Sequence, residues 1–405
     1  MQRLSTPISS ARKSLANLLL VKLFVTTSLM LTFAATASAE HPLRFNVQVL
    51  TVDANEGCDV ADIDGDGKLD VVAGRNWYRN NHWIARPVRL IEDNNGYARS
   101  NGDAACDVNA DGRPDIVSID FFSKEVHWYE NPGGESLLQG NLWPKHLLGD
   151  TGFGNNEVSF LIDLDKDGSP EFISNQWVPT NPMIAWSIAK KAEGQEVTLV
   201  EHPIGDYNGH GIGFGDINND GRDDILFGMG WYECPEGDPL LQPWTYHPDW
   251  KKKYAACPML VYDIDADGVC DVINSVAHGY GIHWWRGLGP DANGKMQFEE
   301  HLIDDSFSQP HCLALGDLDG DGTQELITGK RVRAHNGKDP GSFEPPIMKY
   351  YVWNAELKSF TAHTIVESRV GAGLQIRTAD LDGDGDTDIV VAGKDGTQIL
   401  INKRL

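Results

Sequence analysis

Basic residues are scarce in this chain: 34 lysines and arginines stand against 59 aspartates and glutamates, a formal net charge of −25. A surface of that sign repels phosphate backbones and argues against a nucleic-acid partner. Long apolar runs are missing after the first forty residues, where nothing approaches the roughly 20 continuous apolar residues of a membrane helix. Helical periodicity is nearly absent from the same region, which leaves strands as the main element. Cysteine is sparse as well. Cys58, Cys106, Cys234, Cys257, Cys270 and Cys312 permit disulfides in an oxidising compartment, but a chain of this length does not need them, and their pairing stays open.

Residues 1–39 read as a secretory signal. Arg3, Arg12 and Lys13 precede an apolar run from Leu23 to Ala35, and Ala37-Ser38-Ala39 offers a small-residue cleavage site. The expectation is export to the periplasm or the extracellular space, with residues 40–405 as one domain and no membrane span after leader removal. Without the leader's Arg3, Arg12, Lys13 and Lys22 the net charge becomes −29. Oligomeric state is left open.

What the chain has in abundance is one acidic loop, D-x-[DN]-x-D-G-x-x-[DE], followed by a β-branched or apolar run. Its copies are Asp62-Asp64-Asp66-Asp70, Asp107-Asn109-Asp111-Asp115, Asp163-Asp165-Asp167-Glu171 and Asp216-Asn218-Asp220-Asp224. The remaining copies are Asp263-Asp265-Asp267-Asp271, Asp317-Asp319-Asp321-Glu325 and Asp380-Asp382-Asp384-Asp388. Oxygen ligands at positions one, three and five, glycine at six and a carboxylate at nine suit a hard cation with six to eight oxygens. One such loop would be an ordinary acidic turn; seven in phase predict up to seven structural calcium ions. These positions hold 26 of the 59 acidic residues, so folding is expected to depend on the ion.

Successive loops begin 45, 56, 53, 47, 54 and 63 residues apart. Each is flanked by short apolar strands, then by a segment with an aromatic residue such as Trp77-Tyr78 or Trp128-Tyr129, then by an alternating strand such as His301-Leu302-Ile303. Four strands per repeat predict an all-β, seven-bladed β-propeller. The seventh copy stops after its third strand, while Phe45–Leu50 stands unused before the first loop. The N-terminal strand is therefore expected to complete the last blade and close the ring.

These repeats resemble FG-GAP (VCBS-type) repeats, the calcium-bearing blades of integrin α-chain heads. More narrowly, His210-Gly211-Ile212-Gly213-Phe214-Gly215-Asp216, Gly230-Trp231-Tyr232-Glu233 and Arg333-Ala334-His335-Asn336-Gly337 are similar to the propeller domain of the aldos-2-ulose dehydratases. That resemblance implies dehydration of a keto-sugar. The fungal member also has cupin domains for a later isomerisation; this chain has none, so the implication stops at elimination.

In such a blade the start of the first strand and the loop between strands two and three share the face opposite the calcium loops. Six residues before each loop stand Glu56, Asn101, Glu157, His210, Cys257, His311 and Leu374, expected to ring the channel mouth. Packed positions of this kind are more often small or apolar, as Leu374 is. The second-to-third loops add Arg75, Asp120, Gln176, Trp177, His278, Tyr280, Lys330, Arg331, Arg333, His335 and Lys394. The recurrent outer-strand histidines His146, His202, His247, His301 and His363 read as structural, as do Trp77 and Trp231; Trp177 breaks the pattern and is a candidate sugar platform.

Two functions follow. The first is a carbon–oxygen lyase performing β-elimination on a keto-sugar or uronate. His210 or His311 would be base or metal ligand, Glu157 ligand or acid/base partner, and Arg331 or Arg333 an oxyanion clamp. His335 is a second acid/base, Tyr280 a proton donor, and His278 a further candidate. One zinc or other divalent ion is placed among Glu157, His210, Cys257 and His311. The alternative is a non-catalytic propeller presenting the same face to a glycan or a protein. A glycosidase using Glu56 and Glu157 is a weaker third reading.

Overall fold

The computed structural model describes residues 43–190 and 196–403; the stretch expected to act as a secretory signal lies outside them. Strands dominate, and the one α-helix among the described residues is Gly134–Leu138. Five sheets have four strands each, one has eight, and a two-stranded hairpin, Asp93–Asn94 with Tyr97–Ala98, stands apart. The eight-stranded sheet is two four-stranded units joined where Ile212–Gly215 meets Met259–Tyr262 in parallel. Gly213 permits the join, since a Cβ there would sit 2.4 Å from the Met259 carbonyl oxygen.

The first strands of the units are Cys58–Ala61, Gly102–Cys106, Asn156–Ile162, Ile212–Gly215, Met259–Tyr262, Leu313–Gly316 and Gln375–Ala379. Neighbours in this series touch, and the last touches the first; between the third and fourth the contact is Phe160 edge-on to Phe214, with ring centroids 5.5 Å apart. The apolar cores follow the same course. Seven of the eight clusters among the described residues are shared by consecutive units, as in Ile63, Val72, Ile116 and Tyr129 between the first and second, and Val71, Tyr78, Val390 and Ile399 between the last and first; the eighth joins Val158, Cys257 and Leu374 from alternate units. The last unit takes its outer strand from the start of the chain: Arg44–Thr51 pairs antiparallel with Gly396–Lys403.

The acidic loops share a construction. In six of them the first aspartate accepts hydrogen bonds from the backbone N–H groups of positions five and six, as Asp62 does from Asp66 (3.0 Å) and Gly67 (2.9 Å); in the seventh, Asp380 accepts from Gly383 (2.7 Å) and Gly385 (3.0 Å). Glycine six is left-handed in all seven copies, with φ between 85° and 92°. The ninth-position carboxylate is buried and ties the loop down: Asp70 accepts from the N–H groups of Ile63 (3.1 Å) and Asn80 (2.6 Å). Asn80 in turn donates to the Leu381 carbonyl of the neighbouring unit at 2.6 Å. Asn131 and Asn402 repeat that stitch to Ile63 and Leu318.

The structural reading of the outer-strand histidines has a physical cause. Four of the five pair across the strand with third-strand aromatics and stack on them, His146 on Trp128 at 4.5 Å, His247 on Trp231 at 4.2 Å, His301 on Trp284 at 4.9 Å and His363 on Tyr350 at 4.8 Å; His202 pairs with Ala185 and reaches the Leu240 carbonyl through Nδ1 at 3.0 Å. All six cysteines are free thiols.

Burial, reinforced by repulsion from the loop's other aspartates, pushes the ninth-position carboxylates up in every copy, to about 7 for Asp70, Glu171, Asp224 and Glu325 and about 6 for Asp115 and Asp388. A carboxyl group raised in the fold stabilises it fully below its unfolded pKa of 3.8, and that contribution is lost as pH climbs through about 7. In metal-free buffer, the Tm of Asp70→Asn relative to the unsubstituted chain should therefore climb by a few degrees between about pH 4 and about pH 8. A flat difference across that range would refute the assignment.

Candidate functional site

Away from the acidic loops, side chains from six units converge. Arg331 follows the Glu325–Gly329 strand and is buried. Its Nε and Nη2 donate to the two carboxylate oxygens of Glu56 at 2.7 and 3.1 Å, while Nη1 donates to Glu157 Oε1 at 3.0 Å. Lys394 closes the far side of Glu56 at 3.2 Å and lies 4.4 Å from the Tyr97 ring centre. Two carboxylates and two cations thus neutralise one another where little water enters. Burial alone would raise Glu56, but Arg331 and Lys394 draw it down to about 2. Glu157 is likewise raised by burial and brought well below the carboxylate range by His311, Arg331 and His210.

Behind Glu157 lies a histidine cage. One ligand atom from each of Glu157, His210, His278 and His311 lies within 4.8 Å of all the others, and all four residues are buried. His210 Nδ1 donates to the Ala255 carbonyl at 2.9 Å, which leaves Nε2 as a lone pair. His278 Nδ1 donates to Asp339 Oδ2 at 2.8 Å, which leaves its Nε2 the same way. These two Nε2 atoms face each other at 3.0 Å. Neither ring nitrogen of buried His311 has a hydrogen-bond partner, although Nε2 lies 3.2 Å from Glu157 Oε1. Protons do not fill the gap easily. Burial lowers all three imidazoles, His311 to about 3, with Arg331 and the neighbouring imidazoles among the further causes.

Cys257 does not join this cage, a correction to the expected ligand set. Its side chain packs against Val158 and Leu374, accepts a hydrogen bond from Asn175 Nδ2 at 3.3 Å, and burial pushes the thiol far above its usual pKa. His278, from the second-to-third loop of the same unit, supplies the fourth donor instead. Two other expected residues stand elsewhere. Arg333 is exposed and does not line the pocket, and Tyr280, 40% exposed, donates its hydroxyl to Glu344 at 2.6 Å.

The long loop between Gly329 and Ile347 covers part of the cage. Lys330, fully buried, pins it by donating to Ser308 Oγ (2.5 Å) and the Gly341 carbonyl (2.6 Å). Arg333, His335 and Asn336 hold left-handed φ values of 52°, 47° and 56°, a conformation that costs non-glycine residues about 1 kcal/mol or more each. That strained turn brings His335 into stacking with His278 (4.3 Å) and Trp177 (5.5 Å), with its Nδ1 on Asp339 Oδ1 at 2.8 Å.

In front of the cage opens a pocket of about 710 Å³, lined by Glu56, Glu157, Trp177, Arg331, His335 and Lys394 together with Tyr97, Asn101 and Phe122. Tyr97 belongs to the Asp93–Asn94/Tyr97–Ala98 hairpin, which the repeat pattern did not assign. Its signal was Asn95-Gly96, a turn dipeptide between two short strands.

The FG-GAP-like repeat family matches residues 107–174, 163–227 and 263–328, so these segments carry FG-GAP-like repeats, and the four-stranded units around them fit a β-propeller. Among solved structures it is similar to an Agrocybe aegerita lectin described as recognising non-reducing terminal N-acetylglucosamine. That likeness has 18% identity, a TM-score of 0.48, and coverage of 87% of this chain and 86% of the lectin chain. No curated protein sequence matches this chain.

Removing Arg331 leaves two buried carboxylates without their common cation. Arg331→Met is expected to lower stability by about 3–5 kcal/mol in denaturant unfolding at neutral pH. With the lowered pKa of Glu56, the intact site's contribution is complete above pH 4.5 and is lost as pH falls towards about 2; in Arg331→Met, where burial is no longer offset by that cation, the acid loss should shrink or reverse. An unchanged acid limb would contradict the assigned pairing.

Proposed function

We propose that the chain is a seven-bladed FG-GAP propeller, closed by its N-terminal strand and stiffened by calcium in the acidic loops, that binds a carbohydrate in the pocket above the histidine cage. One observation carries the siting of a second metal. Two imidazole Nε2 lone pairs face each other at 3.0 Å, with both Nδ1 atoms already committed as donors. Burial disfavours the proton that would otherwise relieve them, and His311 adds ring nitrogens with no hydrogen-bond partner.

Three imidazoles and one carboxylate suit a zinc-like divalent ion rather than calcium, which prefers oxygen. Asp339 fits the role of the carboxylate that orients a ligating histidine. Glu56 and Glu157 are already balanced by Arg331 and Lys394, so an ion in the cage would add uncompensated positive charge behind the pocket. The ligand class favoured is a sugar bearing a carboxylate or adjacent carbonyl oxygens, with Trp177 and Tyr97 as apolar surfaces for its ring.

A second reading, elimination from a keto-sugar or uronate, rests on the His335–Asp339 contact at 2.8 Å. His335 lines the pocket and, oriented by Asp339, would take the proton α to the sugar carbonyl and return it to the β-hydroxyl, whose C–O bond breaks as it leaves as water. Arg331 and Lys394 would stabilise the negative charge that develops. A bound divalent ion would supply further polarisation of a carbonyl oxygen.

The test begins with protein stripped by chelator. Calcium should restore a lowered Tm, and zinc should bind in one further equivalent that His210→Ala and His278→Ala lose. Galacturonate, glucosone and 1,5-anhydrofructose are then titrated by calorimetry while ultraviolet absorbance is followed for an unsaturated product. Binding without absorbance supports the carbohydrate-binding reading. Absorbance that disappears in His335→Ala but not in Tyr280→Phe supports the lyase. Failure of every sugar to bind the metal-loaded protein would sink both.

A further inference from the structure

We infer that the carbohydrate is a chain rather than a single sugar, because a second polar groove opens from the first pocket and contains a buried arginine with a nitrogen that makes no well-aligned hydrogen bond. This rests on the carbohydrate reading above and specifies its ligand. The groove, about 880 Å³, runs between the first and second units and shares Arg99 and Asp120 with the first pocket. Arg99 Nη2 meets both oxygens of Asp120 at 3.1 Å, and this half-exposed pair forms the sill between the two spaces.

Arg89 lines the groove and is 3% exposed. Nε donates to the Gly74 carbonyl at 2.9 Å, and Nη2 donates to Ser100 Oγ at 3.3 Å and to Asp103. Its guanidinium lies 5.0 Å from the Tyr129 ring centre. Nη1 is buried and makes no well-aligned hydrogen bond, the guanidinium's further polar neighbour being the Tyr129 hydroxyl. A buried donor without a well-aligned acceptor costs folding energy, and a ligand oxygen in the groove would supply that acceptor.

The groove's charges are mixed, with Lys145 and Arg99 balanced by Asp120 and Glu125, and His127 and Ser123 add neutral donors and acceptors. Alternating donors and acceptors beside the exposed side chain of Leu90 match the hydroxyls and apolar face of a sugar ring better than they match a phosphate or a peptide. The two spaces therefore form neighbouring subsites, with the Arg99–Asp120 pair beneath the linkage between sugar units.

The test compares one-unit and three-unit ligands of matched chemistry on the full metal-loaded protein: galacturonate with trigalacturonate, glucose with cellotriose, and N-acetylglucosamine with triacetylchitotriose. In the pair that binds, the trimer should bind about tenfold tighter or more, the effect of one or two added hydrogen bonds to a charged donor. Glu125→Trp, at an exposed groove position, should erase that preference and leave the monomer's affinity unchanged. Arg89→Lys keeps a cation beside Asp103 but removes the forked donor, and should reduce the trimer's advantage if its unfolding curve remains cooperative. Equal affinity for monomer and trimer, or a preference that survives Glu125→Trp, overturns the second subsite and leaves the first pocket's reading intact. No binding by any ligand in the panel overturns that reading and the second subsite with it.

Discussion

The structure hangs on a carboxylate taken out of water at the ninth position of each acidic loop. Where it is an aspartate it accepts one backbone N–H from the loop and another from near or beyond the end of the third strand, as Asp70 does from Ile63 and Asn80, and so ties the loop to that strand's exit. Asn80 then passes the constraint to the next unit through the Leu381 carbonyl. The same group carries an electrostatic penalty, because the loop's other aspartates repel it and burial deprives it of solvent. Scaffold strength and ionic sensitivity therefore come from one atom set.

At the opposite face the problem is solved differently. Glu56 and Glu157 are also buried carboxylates, but Arg331 and Lys394 reach them as fixed cations, and their pKa values fall instead of rising. Buried pairs of this kind contribute little net stability, yet they hold geometry closely because every partner is needed. That rigidity positions Glu157 against the imidazoles and leaves lone pairs, not protons, pointing inward.

The repeat made the strands, their grouping and the pairing of the first strand with the last legible, since a period recurring seven times averages out local ambiguity. Offset counting also found Glu56, Glu157, His210 and His311, because equivalent positions on equivalent strands must face a common axis. It failed at Cys257. The offset fixes where a strand begins but not which way a side chain turns, and this one turns into the apolar contact with Val158 and Leu374. His278 took its place from a loop whose length varies from copy to copy, where no period exists to be read. Arg333 and Tyr280 were lost for the same reason. The stitching asparagines Asn80, Asn131 and Asn402 went unnoticed because an uncharged residue at or just beyond the end of a third strand carries no pattern until its partner carbonyl is known.

The strand shared between the two ends of the chain has a kinetic meaning. Most contacts here join segments within one unit or its neighbour and can form as soon as both are present, but Arg44 must find Lys403. Loop-closure entropy for so long a separation grows only logarithmically, whereas the search for such a distant partner slows folding. Until the clasp closes, the Gln375–Ala379, Asp388–Gly393 and Gly396–Lys403 strands present an unpaired edge that another copy's Arg44–Thr51 would fit equally well. Strand exchange between molecules is the natural misassembly of this architecture, and dilution during refolding favours the closed monomer over it.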